Sequence, residues 1–214
     1  MTPEFARAVD PVFLYVIDLL DRINSDEAVS APDERVRIRG ELDRAEAVLG
    51  QSDDWMLAKY ALVTWIDEVL IEAPWEASGY FKNNKLEFEV FHTADAYVEF
   101  YRKAQEASGL RKKDALEVFY VCVIMGFRGL YRDPAQSAAL TDELGLPPDL
   151  DTWAKRTAET IQLGKGRPGI SVGSVPVEGA PPLDGPFVII WASLVALVLG
   201  VLVFILTMFF FFRS

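Results

Sequence analysis

Apolar residues at Val9, Val12, Phe13, Val16, Ile17, Leu20 and Ile23 step by three and four along the chain. That is the spacing of one helix face, and it predicts an amphipathic helix over 9–24. Ser30 followed by Pro32 opens a second helix over 32–49, with Val36, Leu42, Ala45 and Leu49 on its apolar face and Gly50 at its end. Ser52 is placed to cap a third, 53–72, which must stop before Pro74. This third segment is apolar nearly all round, from Trp55 and Met56 through Tyr60, Trp65 and Ile66 to Ile71, which marks a helix at the centre of a bundle. After it comes a stretch through Trp75, Tyr80 and Phe81 with no period, read as irregular. Thr93 can cap a fourth major helix, 94–108, ended by Gly109. A fifth, 112–131, carries Leu116, Phe119, Tyr120, Val123, Phe127 and Leu130. Pro134 opens a short sixth that Gly145 closes, and the last runs over 149–163 to Gly164. Phe88, Val90 and Phe91 could be read as a strand, but one short segment would have no partner.

The pattern changes after residue 163. Gly164 to Pro186 holds six Gly and five Pro in 23 residues and no apolar period, so it is read as a partly extended, flexible linker. From 187 to 212 there is no charge at all. As a helix, such a run would reach roughly 39 Å, enough to cross the ~30 Å hydrocarbon core of a bilayer. The opening residues lack a basic region followed by an apolar one, so no signal peptide is expected. The span near the far end then reads as a tail anchor inserted after synthesis, with the head left in the cytoplasm.

Charge sharpens this division. The chain has 21 Lys and Arg against 32 Asp and Glu, a net charge of −11, yet 51% of it is hydrophobic and its mean hydropathy is +0.16. The two facts coexist because residues 1–163 hold 18 basic and 30 acidic side chains, net −12, while the span holds none. A head of that charge is a poor ligand for nucleic acid or for anionic lipid surfaces. A single cysteine, Cys122, excludes an intramolecular disulfide and a multi-cysteine metal site, and a single histidine, His92, excludes paired-histidine metal motifs.

Candidate chemistry is sparse. Asp67 and Glu68 interrupt the most apolar helix. Buried carboxylates are costly unless paired or hydrogen-bonded. Neighbours on a helix point about 100° apart and cannot share one proton, so the favoured reading is an ion pair with an arginine such as Arg128, a cap on another helix, or a partner-facing role. Gly126 and Gly129 suggest close helix approach or a local break near the end of the fifth helix. They do not fit a phosphate loop, because no strand precedes them and no GxxxxGK[ST] pattern exists. Cys122, between Val121 and Val123, reads as a small buried hydrophobe. Trp75, after Pro74, is either a lid over the core or an exposed anchor for a partner. No enzyme signature, cofactor site or metal site emerges, and the residues describe an all-α, membrane-tethered adapter.

Several segments in order carry a more specific likeness. Tyr60-Ala-Leu-Val-Thr-Trp-Ile-Asp-Glu68, Pro74-Trp75, Leu86-Glu87, Phe91-His-Thr93, Tyr97-Val-Glu-Phe-Tyr101 and Leu116-Glu-Val-Phe-Tyr-Val-Cys-Val-Ile-Met-Gly-Phe-Arg-Gly-Leu-Tyr131 together resemble the DotU/IcmH family, called TssL in type VI secretion systems. The resemblance covers roughly 8–163 and the anchor. It implies two three-helix bundles forming a hook-like cytoplasmic domain (1–163), then the linker (164–186) and one transmembrane helix (187–212). It also implies a non-enzymatic scaffold of type VI or type IVB secretion in the bacterial inner membrane. The partners it implies are a large IcmF/TssM-like membrane protein and baseplate proteins such as TssK, with a homodimer left open. By the same resemblance Asp67, Glu68, Gly126, Gly129 and Tyr131 are structural or interface positions; Trp75 and Arg128 join them from the reading of the residues. The segment 76–90 departs from the family pattern. The alternative is a tail-anchored regulator that takes an amphipathic partner helix in a groove lined by the fifth helix.

Overall fold

The computed structural model describes residues 1–164, and all regular structure among them is helical. The linker beyond Gly164 and the apolar run at 187–212 lie outside the described residues. None of the described helices is long and apolar enough to cross a membrane.

Three long helices come first: α1 (Pro3–Asn24), α2 (Ala31–Leu49) and α3 (Asp53–Glu72). α1 starts six residues before its apolar period does, because Thr2 caps it and Pro3 suits its first turn. The Ser52 cap of α3 is present, with its hydroxyl accepting the Trp55 N–H at 3.2 Å. α3 is the axis of the fold. Trp55, Trp65, Ala61, Leu62, Val63 and Ile66 on it are wholly buried, and it packs against α1, α2 and every helix from α4 to α7. On α2 the expected face is partly corrected. Val36 is 71% exposed, and Ile38 takes its place beside Leu42 and Ala45.

The stretch read as irregular folds into two six-residue helices, α4 (Ser78–Asn83) and α5 (Leu86–Phe91). α6 (Ala96–Gly109) begins later than expected, because Thr93 does not cap it. That hydroxyl instead donates to Glu87 Oε1 at 2.9 Å. α7 (Asp114–Ile124) ends seven residues short of the predicted 131. Gly126 and Gly129 adopt φ of +112° and +47°, which a continuing helix cannot contain. A 3-10 turn over Gly129–Arg132 follows, then α8 (Pro134–Glu143) and α9 (Leu150–Gly164).

Cross-contacts set the directions. Cys122 Sγ points to the Ala61 carbonyl at 3.6 Å, Trp65 Nε1 donates to the Met125 carbonyl at 3.2 Å, and the Arg128 N–H donates to Glu68 at 2.6 Å. These pairs advance together, so α3 and α7 run parallel. Thr2 donates to Asp114 from its backbone at 2.6 Å, which places the start of α1 at the start of α7. A Cβ on Gly164 would lie 2.4 Å from Lys113 Cγ, so α9 ends at that same end of the fold.

Candidate functional site

Two acidic positions on α3 organise the end of the fold where α3 finishes. Asp67 is 5% exposed and turns toward α5. Its two oxygens accept the N–H groups of Leu86 (2.9 Å) and Glu87 (2.8 Å), the first two of that helix. A six-residue helix has too few internal bonds to stand alone, so this cap, supplied from 19 residues away, holds it. Burial raises the Asp67 carboxyl to about 6, against the pull of the two N–H groups and of Arg35. Arg35 also bonds the Asn84 carbonyl and Glu89, tying α2 to the same segment.

Glu87, itself 1% exposed, continues the network. Its Oε1 accepts from Tyr60 and Thr93, both at 2.9 Å. Its Oε2 is buried without a hydrogen-bond partner. The Tyr60 hydroxyl is driven far above its ordinary value by burial and by the neighbouring Glu87 charge.

Glu68, one residue on, faces the turn after α7. Its carboxylate accepts the N–H of Arg128 at 2.6 Å and of Gly129 at 3.2 Å, and pairs with Arg132 at 2.9 Å. The expected ion pair with Arg128 is thus a backbone bond, and the paired cation is Arg132. The Arg128 guanidinium turns back to the Val123 and Phe127 carbonyls at 3.2 and 3.3 Å, closing the C-terminal end of α7. Tyr101 donates to the Arg128 carbonyl at 2.7 Å, and Tyr131 donates to the Pro147 carbonyl at 2.7 Å. The two tyrosine rings meet edge to face at 5.0 Å. Gly129 is needed on two counts. Its φ is positive, and a Cβ there would sit 2.8 Å from the Phe127 ring and 3.2 Å from the Tyr97 carbonyl.

Trp75 lies just past α3. It is half-buried, donates its N–H to the Leu70 carbonyl at 2.8 Å and stacks on Phe81 at 5.7 Å. It lines an open cleft between the α1–α2 loop and the turn into α4.

The Asp67 and Glu68 side chains therefore serve two different segments, and Gly126, Arg128, Gly129 and Tyr131 gather around the second. Cys122 is fully buried, and burial drives its thiol well above the ordinary value. Sequence reading missed the network on Glu34, which is 3% exposed. It receives both arms of the Arg22 guanidinium at 3.2 Å, Arg37 at 3.2 Å and the Tyr15 hydroxyl. Glu34 lies in the first turn of α2, where an acid is ordinary, so nothing local distinguishes it.

Comparison with known proteins follows the same lines. A family model described as type VI secretion system protein DotU matches residues 4–212. The solved cytoplasmic domain of TssL from Acinetobacter baumannii superposes with a TM-score of 0.55 at 23% identity, covering 75% of this chain and 98% of that one. At this identity the likeness speaks for the fold. No curated protein sequence matches the chain.

Proposed function

The chain belongs to the DotU family of type VI secretion proteins, and on that premise we propose that it is a structural scaffold of the membrane complex. In this reading residues 187–212 anchor it in the bacterial inner membrane. Residues 1–163 stand in the cytoplasm, and 164–186 form the linker between them. The head connects a large IcmF/TssM-like membrane protein to baseplate proteins such as TssK, and carries out no catalysis. The observation that carries the reading is the extent of the family match, which takes in nearly all of the helical head and the whole of the apolar run.

The finer architecture is two three-helix bundles forming a hook. Its support is the packing of α1 on α2 and α3, and of α7 on α6 and α9, with α3 against α7 between them. In the same reading Asp67, Glu68, Gly126, Arg128, Gly129 and Tyr131 are architectural. They fix α5 and the turn after α7, whose outer surfaces are offered to partners. Trp75, half-buried beside the open cleft, is the candidate placed to touch a partner directly.

Purification of the full chain from a cell carrying a type VI system tests this. Co-recovery of a large membrane-complex protein or a baseplate subunit is expected. Recovery of neither overturns the proposal.

A further inference from the structure

We propose that the cleft lined in part by Trp75 docks a cationic segment of a partner protein, with an Arg or Lys against the indole and its charges facing Asp26, Glu27 and Glu76. The proposal takes from the scaffold reading only that the head has protein partners.

The lining carries the argument. The cleft is formed by Ile23 and residues 26–30 on one side and residues 73–78 on the other. Three carboxylates line it, all on exposed residues, and no Lys or Arg does. Glu27 approaches Arg22 only at 4.0 Å, while that guanidinium forks onto Glu34 at 3.2 Å. Asp26 and Glu76 form no ion pair among the described residues. Asp26 and Glu76 are therefore not already neutralised by an ion pair, and Glu27 only by the long contact with Arg22.

Helix ends add to the same sign. α1 and α3 both finish at the cleft, and helix C-termini carry partial negative charge. α2 begins there with the opposite polarity, but its first turn contains Asp33 and Glu34. Trp75 has spent its N–H on Leu70, so it offers ring surface rather than a donor. A ring face beside carboxylates suits a guanidinium or ammonium.

The test uses the full chain in non-ionic detergent at about 50 mM salt, where screening is weak. It is titrated, by fluorescence anisotropy, into a dye-labelled peptide of alternating Arg and Gly with one Leu. A second peptide has Glu in place of Arg. Saturable binding of the Arg peptide alone is expected. Trp75→Leu should weaken it about fivefold, and Asp26→Asn with Glu76→Lys should weaken it about tenfold. Glu159→Lys, on the exposed face of α9, should leave it unchanged. The charge variants lie on exposed loop positions, so they keep the test decisive should Trp75→Leu unfold the head. Absence of binding, equal binding of both peptides, or an equal loss with Glu159→Lys overturns the proposal. A chain that recovers secretion partners yet ignores the Arg peptide refutes the cleft and leaves the scaffold reading standing. The reverse result refutes only the scaffold.

Discussion

Glu34 and Asp67 are both helix carboxylates, exposed to only 3% and 5%, and the fold keeps them in opposite ways. Burial opposes ionisation of Glu34, but the Arg22 fork and the Tyr15 hydroxyl outweigh it and hold the carboxyl below its ordinary value. Asp67 has no guanidinium in contact. Its partners are two backbone N–H groups, and burial wins over them, raising it to about 6. One acid joins two long helices that already share an apolar seam. The other is the cap on a helix too short to form without it. A buried charge can thus be tolerated either by an opposite charge or by orphan donors that need it more than it needs water.

Asp67→Ala should have the largest effect. It leaves two buried N–H groups without acceptors, at about 1–3 kcal/mol each. Urea unfolding of residues 1–164 should lose about 3–5 kcal/mol. Glu34→Ala should lose less, about 2 kcal/mol, because Arg22 keeps Asp18 at 3.1 Å and is partly exposed. The reverse order would break the comparison.

Acidity separates the two next. The folded Asp67 carboxyl lies above its unfolded value, near 3.9. Its stabilising contribution is complete below that pH and is lost as pH rises through about 6. Integrated over that window the loss is about 2–3 kcal/mol. The folded Glu34 carboxyl is lowered, so its contribution is present above the ordinary glutamate range and is lost as pH falls through its folded value. Melting curves from pH 3 to 8 should flatten between about 4 and 6 in Asp67→Asn, and should lose part of their acid-side fall in Glu34→Gln. An unchanged profile in Asp67→Asn would show that its carboxyl titrates alike in the folded and the unfolded chain.

Glu68 combines the two arrangements, taking backbone N–H groups and a cation together. Gly129→Ala forces a Cβ against Phe127 and strains a positive φ. It should cost about 2 kcal/mol in unfolding free energy and shift the Arg128 and Gly129 amide signals. Arg132→Ala removes only a half-exposed cation and should cost about 0.5 kcal/mol. A loss of several kcal/mol would make Glu68 depend on its arginine, as Glu34 does.

Much of the fold was legible because its signals are local. Ser52 and Pro74 bracket α3, and its nearly unbroken apolar surface announces a central helix. α4 and α5 were not legible. Six residues are less than two turns, and the acceptor that starts α5 belongs to another helix. α7 was overrun because Val123, Phe127 and Leu130 keep helical spacing across a break made by two glycines. The acidic pair was legible as needing partners, but which partners depended on the parallel course of α3 and α7. Glu34 was invisible because the guanidinium that justifies its burial comes from α1.

That parallel course has a mechanical consequence. The start of α7 and the end of α9 lie at the beginning of α3, and the Trp75 cleft lies at its finish. A pull between the cleft and Gly164 would be borne lengthwise along α3, with α1 and α7 loaded in shear rather than peeled away. In single-molecule stretching, handles at Trp75 and Gly164 should rupture at higher force than handles at Asp43 and Gly164. Equal forces would show that α3 is not the strut.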